Sequence, residues 1–138
     1  MTALESLATV LAPLGELRVA QPLARHTTFG IGGPADLFLT VRSAENLAKA
    51  TNAAREAGTP MFVLGSGSNI LVADAGIRGL VLDNRARSEA HDGLTIRVEG
   101  GASFAAFARK MCRAGLEGLS WAVGIPGTIG GAVVYNAG

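Results

Sequence analysis

Apolar positions along the 138 residues change period several times, and each change predicts an element. Leu4, Leu7, Ala8, Leu11 and Leu14 recur at helical spacing ahead of Gly15, which predicts a helix over Ala3–Ala12. Residues 16–34 keep no steady period and are punctuated by Pro22, Gly30, Gly32, Gly33 and Pro34, so they read as irregular. Ala35–Val41 is rich in apolar and β-branched residues and reads as a strand. Ser43 then caps a helix running to Ala57, with Gly58 as its stop. Pro60 opens Met61–Leu64, an apolar run expected of a strand covered on both faces. Strand, helix and strand at these lengths make a βαβ unit.

The second half repeats these signals more faintly. Ile70-Leu71-Val72 is a short apolar run, and Gly79–Leu82 reads as a further strand. Asn84–Gly93 is polar and reads as a turn between strands. Leu94–Glu99 alternates, with Leu94, Ile96 and Val98 on one face. Ser103 caps a helix over Phe104–Arg113 that Gly115 ends, and Cys112 is expected there as a buried thiol among Phe104, Phe107, Met111 and Leu116. From Gly115 to Gly138 seven glycines and Pro126 interrupt small apolar residues. Because no closing element follows this constrained stretch, a longer natural chain is expected.

Composition narrows the class. With 49% apolar and 17% charged residues the chain is globular. A formal net charge of +1, with no basic stripe, gives no footprint for nucleic acid. The single cysteine excludes an internal disulfide and suits a reducing compartment. No apolar stretch approaches the ~20 residues of a membrane span, so the expectation is a soluble, cytoplasmic protein.

The 19 glycines are clustered, and the clusters carry the candidate chemistry. Gly65-Ser66-Gly67-Ser68-Asn69 directly follows an apolar strand; such a loop can turn successive N–H groups toward one anion, or can be a plain tight turn. It is not a P-loop, since no Gly-Lys-Ser/Thr follows, and it lacks the helix that a three-glycine dinucleotide fingerprint opens. Val123–Ala132 is the second cluster, in which Gly124, Gly127, Gly130 and Gly131 remove Cβ atoms so that a flat ring could lie against the main chain. The third, Thr27–Pro34, reads equally as a wall of the same site or as a lead-in to the strand. Other chemistries lack support. His26 and His91 have no ligand-spaced partners, so no metal site is expected. Asp74, Asp83 and Asp92 sit near turns, and no base accompanies the serines of the Gly65 loop.

Taken together, His26-Thr27-Thr28-Phe29-Gly30-Ile31-Gly32-Gly33-Pro34-Ala35, Leu64–Leu71, and Gly118-Leu119 through Ile125–Ala132 to Asn136-Ala137-Gly138 resemble the UDP-N-acetylenolpyruvoylglucosamine reductase family. The resemblance implies an α+β FAD-binding domain of the vanillyl-alcohol-oxidase/p-cresol-methylhydroxylase type, a βαβ lobe followed by a second mixed α/β lobe. It implies an N-terminal helix and lead-in over 1–22, lobes over 23–83 and 84–138, and a substrate domain outside this chain. The implied FAD contacts are Leu64, Gly65, Ser66, Gly67, Ser68, Asn69 and Leu71 around the pyrophosphate, and Ile125, Pro126, Gly127, Thr128, Gly130, Gly131, Ala132 and Asn136 toward the flavin. Gly30 departs from the family, which often has a basic residue there.

The family reduces the enolpyruvyl double bond of a UDP-sugar with hydride from NADPH by way of the flavin. Its proton donor, arginine and glutamate match positions beyond Gly138, so no catalytic residue is expected within these 138, and the piece alone is expected to be inactive. A monomer with no nucleic-acid or membrane partner is implied. Two alternatives stand beside this reading: another oxidase or dehydrogenase of the same fold, and a nucleotide-binding module without catalysis.

Overall fold

The computed structural model describes residues 2–138. Ten main elements follow in order: α1 (Ala3–Leu11), β1 (Glu16–Pro22), β2 (Pro34–Val41), α2 (Ala44–Glu56), β3 (Met61–Leu64), β4 (Ile77–Asn84), β5 (Glu89–Asp92), β6 (Thr95–Val98), α3 (Phe104–Arg113) and α4 (Ile129–Val134). Local sequence explains the helix starts. Thr2 and Glu5 form a reciprocal capping box on α1, Ser43 Oγ accepts from Asn46 N–H on α2, and Ser103 Oγ does the same for Ala106 on α3.

One four-stranded sheet organises the first half, in the order β1-β2-β4-β3. The helix α2 carries the chain from β2 to β3, and β4 then inserts between these two strands, parallel to both. The connection from β3 to β4 must therefore cross back over the sheet, and residues 65–76 do so without a helix. Alternation along β2 and β4 sends Leu37, Leu39, Val41, Leu80 and Leu82 to one face. There Leu7 and Leu11 of α1 and Ala50 and Ala54 of α2 cover them. Phe38 and Val81 face the other way and pack with Leu23, Leu64 and Val72.

Four sequence expectations change. Residues 16–22, read as irregular, form β1, which pairs antiparallel with β2 from Glu16↔Thr40 to Pro22↔Pro34. Its side chains are mostly exposed, so main-chain pairing builds the strand and leaves little hydrophobic period to detect. Met61–Leu64 is an edge strand with Met61 and Val63 exposed, not a strand covered on both faces. The polar stretch 84–93 contains β5, half of an antiparallel hairpin with β6. Cys112 is exposed, because the buried stripe of α3 is Phe104, Phe107, Ala108 and Met111 and position 112 falls off it.

Candidate functional site

Parallel strands collect ligands at their carboxyl ends, where loops leave the sheet. β3 ends at Leu64, and the Gly65–Asn69 loop begins there. Its shape is held from two sides. Gly67 has φ +70°, and a Cβ on it would collide with the His26 carbonyl oxygen. The Thr28 N–H donates to the Gly67 carbonyl at 2.9 Å. The Thr27–Pro34 cluster is thus a support under the Gly65 loop.

The second glycine segment closes the opposite side. Gly127 C=O accepts from Phe104 N–H at 3.0 Å, Ile129 N–H donates to Ala102 C=O at 2.9 Å, and Gly130 N–H to Gly100 C=O at 2.8 Å. Thr128 Oγ1 accepts from Gly131 N–H and starts α4. A Cβ on Gly65 would stand 2.6 Å from Thr128 Oγ1, so glycine at 65 is what lets the two segments approach.

Between them lies a cavity of 520 Å³. Leu64, Gly65, Ser66, Gly67, Ser68 and Asn69 line it from one side, and Ile125, Pro126, Gly127, Thr128, Gly130, Gly131 and Ala132 from the other. Leu71 and Asn136, expected to join them, are not among the lining residues; Leu71 is 70% exposed to solvent instead. The lining adds residues that sequence reasoning missed, among them Phe62, Asn84, Gly100, Val134, Tyr135 and Ala137. Asn84, which with Asp83 puts polar side chains at the buried end of β4, carried the one signal that could have been read.

No charged side chain is among the lining residues. An anion held here would meet main-chain N–H dipoles, serine and threonine hydroxyls and amides rather than lysine or arginine. The charged groups nearby do structural work. Asp83 accepts from Thr40 Oγ1 at 3.0 Å and from Arg85 Nε at 2.8 Å. Glu99 accepts from the N–H groups of Ala44 and Ser88, both at 2.8 Å, and so ties the start of α2 to the β5–β6 hairpin. Those two bonds, Ala44 first, hold its carboxyl below the usual range. His26 lies beneath the Gly67 turn, its ring 4.3 Å from that of Phe38 and its Nε2 3.2 Å from Gln21 Nε2. Burial pushes its pKa down; Asp83 opposes this, and Arg85, Arg18 and Arg25 add to it. Among the described residues no group of three His, Cys, Asp or Glu could hold a metal, and no helix is long and apolar enough to cross a membrane.

Residues 35–138 match the model of the FAD binding domain family, and the chain belongs to that family. Curated relatives similar to it include UDP-N-acetylenolpyruvoylglucosamine reductases. It is 45% identical to reductase 2 of Symbiobacterium thermophilum over 138 residues, 97% of this chain and 44% of that protein. It is 47% identical to the reductase of Heliobacterium modesticaldum over 126 residues, 90% of this chain and 40% of that one. The chain therefore spans about two-fifths of the length of these relatives. Among solved structures it is similar to UDP-N-acetylenolpyruvylglucosamine reductase (MurB) from Thermus caldophilus, with TM-score 0.69 and 37% identity over 89% of this chain and 42% of the other. Aclacinomycin oxidoreductase matches with TM-score 0.50 and 25% identity, over 70% of this chain and 20% of the other. The cavity suits the family's cofactor: its polar lining is neutral serine, threonine and amide groups beside main-chain N–H groups, and Ile125, Pro126 and Ala132 add an apolar wall.

Proposed function

We propose that this chain is the FAD-holding part of a UDP-N-acetylenolpyruvoylglucosamine reductase. In this reading the Gly65–Asn69 loop takes the pyrophosphate, and Ile125–Ala132 lies along the flavin end. The observation that carries the reading is the meeting of two glycine segments, far apart in sequence, across one uncharged cavity. Residues 23–83 and 84–138 are the two lobes that bring those segments together.

Bound here, FAD would supply hydride transfer from NADPH to the enolpyruvyl double bond of the UDP-sugar. The chain's own residues bind and orient. N–H groups and hydroxyls of the Gly65 loop neutralise phosphate charge without salt bridges, while Ile125, Pro126 and Ala132 offer an apolar wall for a flat ring. The lining holds no carboxylate, imidazole, amine or thiol, and we assign substrate protonation to residues outside these 138. We assign the whole protein to the cytoplasm as a monomer.

The test uses the full protein. It should purify with a visible flavin band, or regain one on adding FAD, and oxidise NADPH only when the enolpyruvyl UDP-sugar is present. A protein that takes up no FAD refutes the reading. One that binds FAD but ignores that substrate belongs to another oxidoreductase of the fold.

A further inference from the structure

Asn84 is the last residue of β4, and its neighbour Asp83 pairs in register with Leu64. The parallel register therefore sets Asn84 beside the point where the Gly65 loop leaves β3. The residue is only 9% exposed, and it lines the cavity. Its side-chain oxygen is committed: Oδ1 accepts from the Ala86 N–H at 3.1 Å. An N–H donor at that position fixes which end of the amide is oxygen, so the amide nitrogen must point the other way.

That nitrogen is free. Among the described residues Asn84 Nδ2 donates to no protein acceptor, and no side-chain nitrogen or oxygen is both sealed from solvent and unpaired. The exposure left to Asn84 is therefore available to its amide nitrogen, and the open space the residue borders is the cavity. Gly100 borders the same donor: a Cβ there would stand 3.6 Å from Nδ2, in van der Waals contact with it. A donor that opens only on the cavity is placed to exchange water for a ligand acceptor. Serines 66 and 68 ride on a loop, whereas Asn84 is planted at the end of a central strand, where a ligand contact can be held in place.

We infer that Asn84 is a further ligand-contacting residue of this cavity, its side-chain amide donating a hydrogen bond to an acceptor atom of the bound dinucleotide. The inference rests on the FAD reading of the site and adds a contact that no glycine motif encodes. Being neutral and unable to ionise, the amide recognises a lone-pair acceptor at any working pH, and it rejects a ligand that presents a donor there.

Two substitutions in the full protein separate this role from a turn-stabilising one. Asn84→Asp keeps an oxygen for the Ala86 N–H but has no proton to donate; Asn84→Ala removes the donor and adds no charge. Both should raise the FAD dissociation constant about tenfold at neutral pH. As pH falls through the carboxyl's titration, the Asp variant regains a donor, and its deficit relative to wild type at the same pH should shrink. Wild-type FAD affinity in either variant overturns the inference, as does a loss confined to the Asp variant, which would indicate charge repulsion alone. A wild-type protein that binds no FAD refutes the proposed function itself, and the inference with it.

Discussion

The Thr28 N–H donates to the Gly67 carbonyl oxygen at 2.9 Å, joining the third glycine cluster to the first. The same lead-in is closed on itself, where Leu23 N–H reaches Gly33 C=O at 3.1 Å, and is tied to the β3–β4 connection, where Gly33 N–H reaches Ala73 C=O at 3.0 Å. Residues 23–33 thus brace the turn on which anion binding would depend. Preorganisation of this kind lowers the ordering cost that binding otherwise incurs.

Gly67→Ala tests the brace. The alanine would have to hold φ near +70° with its methyl against the His26 carbonyl. Strain of this kind costs about 1–3 kcal/mol, so FAD affinity should fall by roughly tenfold to a hundredfold. Titration of the apoprotein with FAD measures it, and wild-type affinity would show that the turn is not part of the binding surface.

His26 should make the fold acid-sensitive. Its folded pKa lies below the ordinary 6.5, so its neutral form is the one the fold favours. The stability this contributes is present above the unfolded value and is lost as pH falls through the folded one. His26→Phe keeps a ring on Phe38 and cannot titrate. Its Tm should change less than the wild-type Tm between about pH 7 and about pH 5. Equal slopes for the two proteins would assign the acid response to other groups.

Glu99 fastens the start of α2 to Ser88 through two N–H groups. In Glu99→Gln one of those N–H groups faces an amide NH₂ instead of an oxygen. We expect Tm to fall by about 3 °C at neutral pH, allowing for solvent screening at this accessible site. With its pKa held below 4.5, the carboxylate's contribution is present above that value and is lost as pH falls through the folded pKa. The gap between variant and wild type should close in acid. Calorimetry across pH decides, and a gap that persists in acid contradicts the assignment.

Phe38 is fully buried at the centre of the sheet, on the face that supports His26. Phe38→Ala should cost about 3–5 kcal/mol by leaving a cavity among Leu23, Leu64 and Val81. Urea unfolding of the apoprotein measures this loss. A cost under about 1 kcal/mol would mean that the site collapses around the smaller side chain.

Legibility in the sequence followed the range of the interactions. Helices α2 and α3 could be read because Ser43 and Ser103 cap them three residues away. Strand β2 could be read because both its faces are covered and its residues 37–41 are apolar or β-branched. Strand β1 was hidden, since its pairing with β2 is made by main-chain groups that carry no residue code. Cys112 was misplaced by a single helical position, about a hundred degrees around α3. Leu71 and Asn136 belong to motif stretches but miss the cavity, because adjacency in a motif does not set the direction of a side chain.

By itself, the sequence determined where the backbone can bend: glycine at 65 and 67, the caps at Ser43 and Ser103, and the apolar runs that must be buried. These are local consequences of missing Cβ atoms, nearby hydroxyls and short-range hydrophobic period. Only the tertiary structure decided that β4 inserts between β2 and β3, that Thr128 meets Gly65, and that Asn84 stands at the mouth of the Gly65 loop with a donor to spare. Those relations depend on strand order and on contacts dozens of residues apart, and no local pattern records them.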